Sequence, residues 1–240
     1  MKTLSIVIPA YNEERTIAQL LEKVLAVDTE SLGFRKELIV VDDGSRDQTS
    51  AQAAAFPDVR VLRQVPNQGK GKAVQRGMRE ATGDYILIQD ADLEYDPQDY
   101  LPMLRRVAAG SEVVYGSRTL GQAELQHGWT LFPGRHPSQS FGPWLAGGVL
   151  SCWTAFLYWR WISDTLTAYK LYPAPAVQRM HLLTAGFETD HEITARLIRL
   201  GLPIAEVPIR YYPRSAEEGK KIRAVDGLIA LWTLLRFRFQ

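Results

Sequence analysis

Asp90 and Asp92 flank a single alanine directly after the apolar run Tyr85-Ile86-Leu87-Ile88. Two carboxylates at the end of a buried strand repel one another and lose hydration. A hard divalent cation such as Mg²⁺ or Mn²⁺ relieves both effects, because it takes oxygen ligands, and a cation there can hold a diphosphate in turn. An isolated Asp-x-Asp is a common chance pattern, so its weight comes from its company. Three more polar clusters follow apolar runs: Tyr11-Asn12-Glu13 after Leu4–Ile8, Asp42-Asp43-Gly44-Ser45 after Leu38–Val41, and Gly116-Ser117-Arg118 after Glu112–Tyr115.

The elements that must position these clusters alternate along the first half of the chain. Ile17, Leu20, Leu21 and Val24 recur at helical spacing. A short helix is expected from Thr49 to Ala55 and a strand over Val59–Leu62. Gly69-Lys70-Gly71-Lys72 opens another helix, with Val74 and Met78 on one face, and Pro97 suits the first turn of a further one. Strands without clean alternation, separated by helices, predict an α/β fold with a mostly parallel sheet covered on both faces. Ligands of such sheets gather outside the carboxyl ends of the strands, where all four polar clusters fall.

The 240 residues suffice for a full core, and 46% hydrophobic with 23% charged residues is ordinary for a globular enzyme. The single cysteine, Cys152, excludes an intrachain disulfide and a cysteine-based zinc cluster, and fits a reducing compartment. Lys2 is followed at once by a strand-like run with no apolar signal-peptide core, so export is not expected. Net charge is +1, yet residues 220–240 hold five basic side chains and one acid. Basic residues this few and this localised do not suggest nucleic-acid binding. His127, His136, His181 and His191 show no metal-ligand spacing.

Residues 137–159 carry no Asp, Glu, Lys or Arg and include Trp144, Trp153 and Trp159. Two readings fit them: a helix lying at a bilayer interface, where Trp and Tyr prefer to sit, or a buried core helix. Near the chain end, Ile222, Val225, Leu228, Ile229, Leu231, Trp232 and Leu235 share one side of a helical wheel, with Arg223, Asp226 and Arg238 opposite and Arg236 intruding. A basic amphipathic helix drawn to anionic lipid and a surface helix packed on the body both fit.

With these clusters in place, the chain resembles the inverting family-2 glycosyltransferases of the GT-A fold, and among them the dolichol-phosphate mannosyltransferase and polyprenyl-phosphate glycosyltransferase group. The resemblance runs over nearly the whole chain: Pro9-Ala10-Tyr11-Asn12-Glu13-Glu14, Asp42-Asp43-Gly44-Ser45, Gly69-Lys70-Gly71, Asp90-Ala91-Asp92-Leu93-Glu94, Gly116-Ser117-Arg118, Ser163-Asp164 with Tyr169-Lys170, Phe187-Glu188 before Glu192-Ile193, and Glu218-Gly219-Lys220-Lys221-Ile222. It implies a GT-A catalytic domain over residues 1–215, including an aromatic interfacial segment at about 137–161. A basic loop and amphipathic helix would follow over 216–240.

For the site, the resemblance implies Pro9, Tyr11, Glu13, Asp42, Asp43, Lys70, Asp90 and Arg214 around the nucleotide sugar. Asp90, Asp92 and Glu94 would meet Mg²⁺ or Mn²⁺, although relatives commonly carry Gln at the third position. Arg118, Arg135 and Lys220 would hold an acceptor phosphate. Asp164 is expected to orient the site; a base and a helix N-cap are the other readings of it. The implied catalytic set is Asp92, Arg118 and Asp164.

The implied reaction moves a sugar from GDP-mannose or a UDP-sugar to a polyprenyl phosphate, dolichyl or undecaprenyl, with inversion. The other reading is a soluble family-2 enzyme acting on a hydroxyl of a glycan or small molecule, which would need a true base. Many relatives carry C-terminal transmembrane helices, so peripheral contact with the cytoplasmic face of a membrane or docking on a separate integral membrane subunit is expected. No nucleic-acid partner is expected.

Overall fold

Uninterrupted apolar runs become the central strands, because a strand covered on both faces needs an apolar side chain at every position. A computed structural model describes residues 1–126, 134–137, 141–213 and 224–240. Strands β1 (Lys2–Ala10) and β2 (Phe34–Asp42) are completely buried over their last five residues. With β3 (Val59–Arg63), β4 (Tyr85–Ile88), β5 (Val113–Ser117), β6 (Lys170–Pro173) and β7 (Ile204–Pro208) they form a seven-stranded sheet in the order β3-β2-β1-β4-β6-β5-β7. Only β6 runs against its neighbours, β4 and β5; the other pairs in the sheet are parallel. Ala10 lies opposite Asp42, so the chain leaves β1 and β2 at the same height. The expected gathering of polar clusters along one edge is the observed one.

Alternation along β1 divides the core. Leu4, Ile6 and Ile8 face α1 (Ile17–Ala26), α2 (Thr49–Ala54) and α4 (Tyr100–Ala108). Val7, with Ile39 and Val41, faces α3 (Lys70–Glu80), α7 (Ala174–Met180) and α8 (Thr189–Arg199). The two layers of helices bury both faces of the sheet, as parallel strands demand. After β5 the chain turns at once into α5 (Arg118–Leu125), whose first turn is capped by the Ser117 hydroxyl accepting from Leu120 N–H at 3.1 Å.

A third apolar cluster joins α6 (Phe141–Tyr158), α8 and α9 (Ala224–Phe239): Leu150, Leu157 and Tyr158 pack with Ala195, Ala230, Leu234 and Phe237. Trp153 Nε1 donates to Leu231 O at 3.1 Å, and the Tyr158 hydroxyl to Leu234 O at 2.7 Å. Helix α9 therefore buries a face that the wheel did not select. Leu228 is 68% and Trp232 63% exposed, while Ala230, Leu234 and Phe237 are inside. A helix apolar nearly all round takes its orientation from the surface it packs on. Helix α6 is core on one side only: that side joins the cluster, and the other leaves Phe156 69% exposed, with Trp159 just beyond the helix at 85%. Among the described residues, no helix is long and apolar enough to cross a membrane.

A buried polar node fixes the end of β4. Tyr100 and Tyr169 both donate their hydroxyls to Gln89 Oε1, and Gln89 Nε2 donates to Asp90 O at 2.8 Å. Gln89 is fully buried. Gln89→Leu would orphan two phenolic hydroxyls in the core, so urea unfolding should show a loss of about 3 kcal/mol. A loss below about 1 kcal/mol would mean that the node contributes little.

Candidate active site

The four polar clusters enclose one cavity of about 1610 Å³. Pro9, Tyr11, Glu13 and Asp43 line one part of it, and Lys70, Asp90, Asp92 and Glu94 the next. Arg118, Asp164 and Tyr211 follow, and beyond them the wall becomes α6, from Gly142 through Trp144 to Trp153, joined by Leu231 of α9. A polar floor and an apolar wall thus share a single space.

At the first part, loops tie to one another. Asn12 takes a left-handed conformation at φ 54°, which Asn tolerates better than most residues. Its N–H donates to Ser45 Oγ at 3.0 Å, and its Oδ1 accepts from Arg46 N–H at 2.9 Å. Asp43 anchors the approach to α3: its carboxylate accepts from Gln64 Nε2 at 2.6 Å, Gln68 N–H at 2.8 Å and Gly69 N–H at 2.8 Å. Asp42 is absent from the cavity wall. Its Oδ1 accepts from Ser45 N–H at 2.9 Å, and its Oδ2 lies 3.3 Å from Arg63 Nε.

Charges alternate along the cavity wall and into the body beneath it. Lys70 Nζ lies 2.7 Å from Asp90 Oδ1 and 3.5 Å from Asp190 Oδ2. Asp190 Oδ1 is 3.8 Å from Nζ of Lys170, a fully buried lysine that also donates to Asp190 O at 2.9 Å and Thr165 O at 3.3 Å. Burial works against the charge on Lys70, but Asp90 and Asp190 outweigh it and raise its pKa. Burial prevails at Lys170 and pulls its pKa down to about 8, with Asp190 opposing. The glycines beside Lys70 make the contact possible. Gly69, at φ 95°, faces Ala185 O, and a Cβ on Gly71 would collide with Thr189 and the Ala185 backbone. Only this bare helix end lets Lys70 approach the 185–190 segment.

Arg118 opens α5 and is held on its edge and its face. Its Nε donates to Asp164 Oδ2 at 2.7 Å and its Nη2 to Oδ1 at 2.8 Å. The Tyr211 ring lies 4.9 Å from the guanidinium carbon. Burial would raise the Asp164 pKa, yet the Arg118 charge and hydrogen bonds hold it below the usual carboxylate range. Residues 160–169 form no helix, so the N-cap reading of Asp164 fails. Glu206 of β7 fixes that segment instead, accepting from Ser163 N–H at 2.9 Å and Asp164 N–H at 3.3 Å.

Asp90, Asp92 and Glu94 all reach the cavity. Among the described residues, no three His, Cys, Asp or Glu side chains form a ready-made metal site. The donors nevertheless suit Mg²⁺ or Mn²⁺, since such ions are often held by one or two carboxylates and complete their shell with phosphate and water. Asp90 and Asp92 would supply those oxygens, with Lys70 yielding its place on Asp90. Glu94 Oε2 accepts the Tyr211 hydroxyl at 3.0 Å. Arg135 is half-buried but is not on the cavity wall, although Gly134 and His136 on either side of it are. Its carbonyl accepts from Gln126 Nε2 at 3.1 Å. Arg214 and Lys220 lie outside the described residues. Asp190, Tyr95, Tyr211, Gln89 and Glu206 escape the sequence reading. Asp190 alone carried a signal, lying between two quoted motif fragments.

Comparison with known proteins follows the same lines. The model of Glycosyl transferase family 2 matches residues 5–157. The dolichol-phosphate mannosyltransferase of Pyrococcus furiosus is 28% identical over 221 residues, covering 90% of this chain and 58% of that protein. The human dolichyl-phosphate beta-glucosyltransferase is 28% identical over 261 residues, covering 98% of this chain and 72% of that protein. Among solved structures, glucosyl-3-phosphoglycerate synthase of Mycobacterium tuberculosis, in complex with Mn²⁺ and UDP-glucose, aligns with a TM-score of 0.66 at 22% identity over 99% of this chain and 79% of that one. The likeness establishes the GT-A arrangement of the sheet.

His191 provides a test of the buried chemistry under the cavity. Burial, with Lys170 adding to it, depresses its pKa to about 4, and its Nδ1 has no hydrogen-bond partner among the described residues. The unfolded chain takes up this proton near pH 6.5 and the folded chain only near pH 4. Stability present above pH 6.5 should therefore fall as the pH drops towards 4, by up to roughly 3 kcal/mol. Denaturant titrations of His191→Leu should lack that component; an unchanged pH profile would contradict the assignment.

Proposed function

The chain belongs to glycosyl transferase family 2, and on that premise we propose that it moves a sugar from a nucleotide diphosphate sugar to a polyprenyl phosphate at a membrane surface, with inversion. The observation carrying this reading is the single cavity that runs from the Asp90–Asp92 corner past Arg118 to the apolar wall of α6. A nucleotide sugar needs the first part, a phosphate headgroup the second and a lipid tail the third. The names of the archaeal and human relatives point to the same acceptor class.

In this reading Pro9, Tyr11, Glu13 and Asp43 line the nucleotide end, and Lys70 faces the diphosphate. Asp42 supports the turn beneath them. A cation on Asp90 and Asp92 would neutralise the departing diphosphate. The acceptor phosphate has its second pKa near 6 and is already largely a dianion at neutral pH, so it attacks without a strong base. Arg118 places it in line behind the anomeric carbon, using the guanidinium edge that Asp164 leaves open. Asp164 orients Arg118; a carboxylate held at low pKa is a poor base. That disfavours a hydroxyl acceptor, and Arg135 remains a candidate second cation. The exposed apolar residues of α6 and α9 would face the lipid surface.

The experiment uses vesicles containing polyprenyl phosphate, Mg²⁺ or Mn²⁺, and labelled UDP- and GDP-sugars. Label should enter the organic-extractable lipid with at least one donor, and failure with every donor would sink the proposal. Arg118→Ala should lower kcat/KM for the lipid by roughly a hundredfold. Asp164→Asn should fall by less than the hundredfold or more that loss of a general base entails.

A further inference from the structure

Arg118 and Asp164 hold one another at the cavity, yet Asp164 stands in a segment with no helix or strand of its own. We propose that Glu206 of β7 is a positioning residue for Arg118, acting through Ser163 and Asp164 from outside the cavity. The inference rests on the reading of Arg118 as the group that receives the acceptor phosphate.

Glu206 does not line the cavity, whereas Ser163, Asp164 and Arg118 do. Its carboxylate accepts from Ser163 N–H, 3.0 Å from Oε1 and 2.9 Å from Oε2, and from Asp164 N–H at 3.3 Å. The Ser163 hydroxyl donates to Oε1 at 2.7 Å. That hydroxyl has a single proton, and an ionised carboxylate can only accept. The contact of 2.7 Å between the Ser117 and Ser163 hydroxyls therefore has Ser117 as its donor. Ser117 in turn accepts from Leu120 N–H at 3.1 Å, in the first turn of α5. The chain of bonds runs from the α5 backbone through Ser117 and Ser163 to Glu206, and the carboxylate sets its direction.

Two arms thus leave Glu206 and meet at Arg118. One passes through the Asp164 backbone to the carboxylate that accepts from Arg118 N–H at 3.0 Å and from its Nε at 2.7 Å. The other passes through Ser117, whose side chain caps the helix that Arg118 opens. Sheet register serves both, since Glu206 lies opposite Tyr115, two residues before Ser117. Burial raises the Glu206 pKa against the hydrogen bonds from Ser163, and the Asp164 charge adds to the rise. A carboxylate whose pKa rises on folding destabilises the fold at neutral pH. Glu206 is thus kept at a cost to stability, as a group that orders a site can be. Reach is what the position requires. Glutamine would keep the length and one acceptor oxygen, while aspartate would keep the charge and fall one methylene short.

Two measurements on the full chain test this. The first is water exchange of the Arg118 Nε–H by NMR, its signal assigned through its loss in Arg118→Lys. The second is KM for polyprenyl phosphate in vesicles. Glu206→Ala and Glu206→Asp should each speed the exchange about tenfold. Both should raise the acceptor KM about tenfold, with the donor KM held within about twofold. Glu206→Gln should match the unsubstituted protein in both measurements, and its urea midpoint should not fall. Where Glu206→Ala does not fold, Glu206→Asp and Glu206→Gln still carry the comparison. An intact Glu206→Asp beside an impaired Glu206→Gln would make charge the operative property and overturn the proposal. Unaltered exchange in Glu206→Ala and Glu206→Asp, with only a lower urea midpoint, would leave Glu206 a structural acceptor and overturn it as well. Absence of lipid transfer by the unsubstituted protein would instead refute the proposed reaction, and the exchange measurement would still report on Glu206.

Discussion

Asp90, Lys70 and Asp190 on the cavity wall and Lys170 behind it alternate in sign, and the rest of the site is arranged so that none of them is buried alone. An uncompensated buried charge costs several kcal/mol, and Lys170 has no exposure at all. Its partner Asp190 must therefore come close, which requires α8 to start against the end of α3. The bare Gly69 and Gly71 permit that approach. The antiparallel direction of β6 serves the same end. Running opposite to β4 and β5, it begins at their carboxyl edge, so its first residue, Lys170, enters at the site. A parallel strand would have brought its first residue in at the far edge.

Much of this was legible in the residues. The continuous apolar runs gave β1, β2, β4 and β5 at nearly their observed positions, because burial on both faces leaves an unambiguous pattern. The polar clusters that end them also lie where that pattern puts them. Legibility failed where long-range pairing decides. The four residues of β6 begin with a charge and β7 includes Glu206, so neither reads as a buried strand. Tyr211 and Gln89 have no local signal, since their roles come from partners 117 and 11 to 80 residues away. For α9 the wheel found apolar positions on one side, but apolar residues stand on the other side as well, and contact with α6 and α8 made the choice.

The same feature of α6 and α9 that defeated the wheel gives the cavity its two characters. Each helix carries enough apolar surface to pack on its neighbour and still expose large side chains. Their packed sides form the third cluster, and the glycine-rich start of α6 lies along the cavity instead. Glycines there alternate with Trp144, Leu145 and Val149, so the wall is apolar along its length, as the proposed acceptor class would need.

The protonation states around Arg118 are compatible with the proposed acceptor, which is already charged. Asp164 and Asp190 are both held below the ordinary carboxylate range against the pull of burial, Asp164 by Arg118 and Asp190 by Lys70 and Lys170. His191, depressed to about 4, stays neutral at pH 7 and is a weak base for the same reason. A hydroxyl acceptor would need one of these groups poised near neutrality to take its proton. A phosphate dianion needs cations in fixed places, and fixing a cation is what the Asp164 carboxylate and the Tyr211 ring do for Arg118. The pairing that spoils Asp164 as a base is the one that would make Arg118 a rigid receptor for the proposed phosphate.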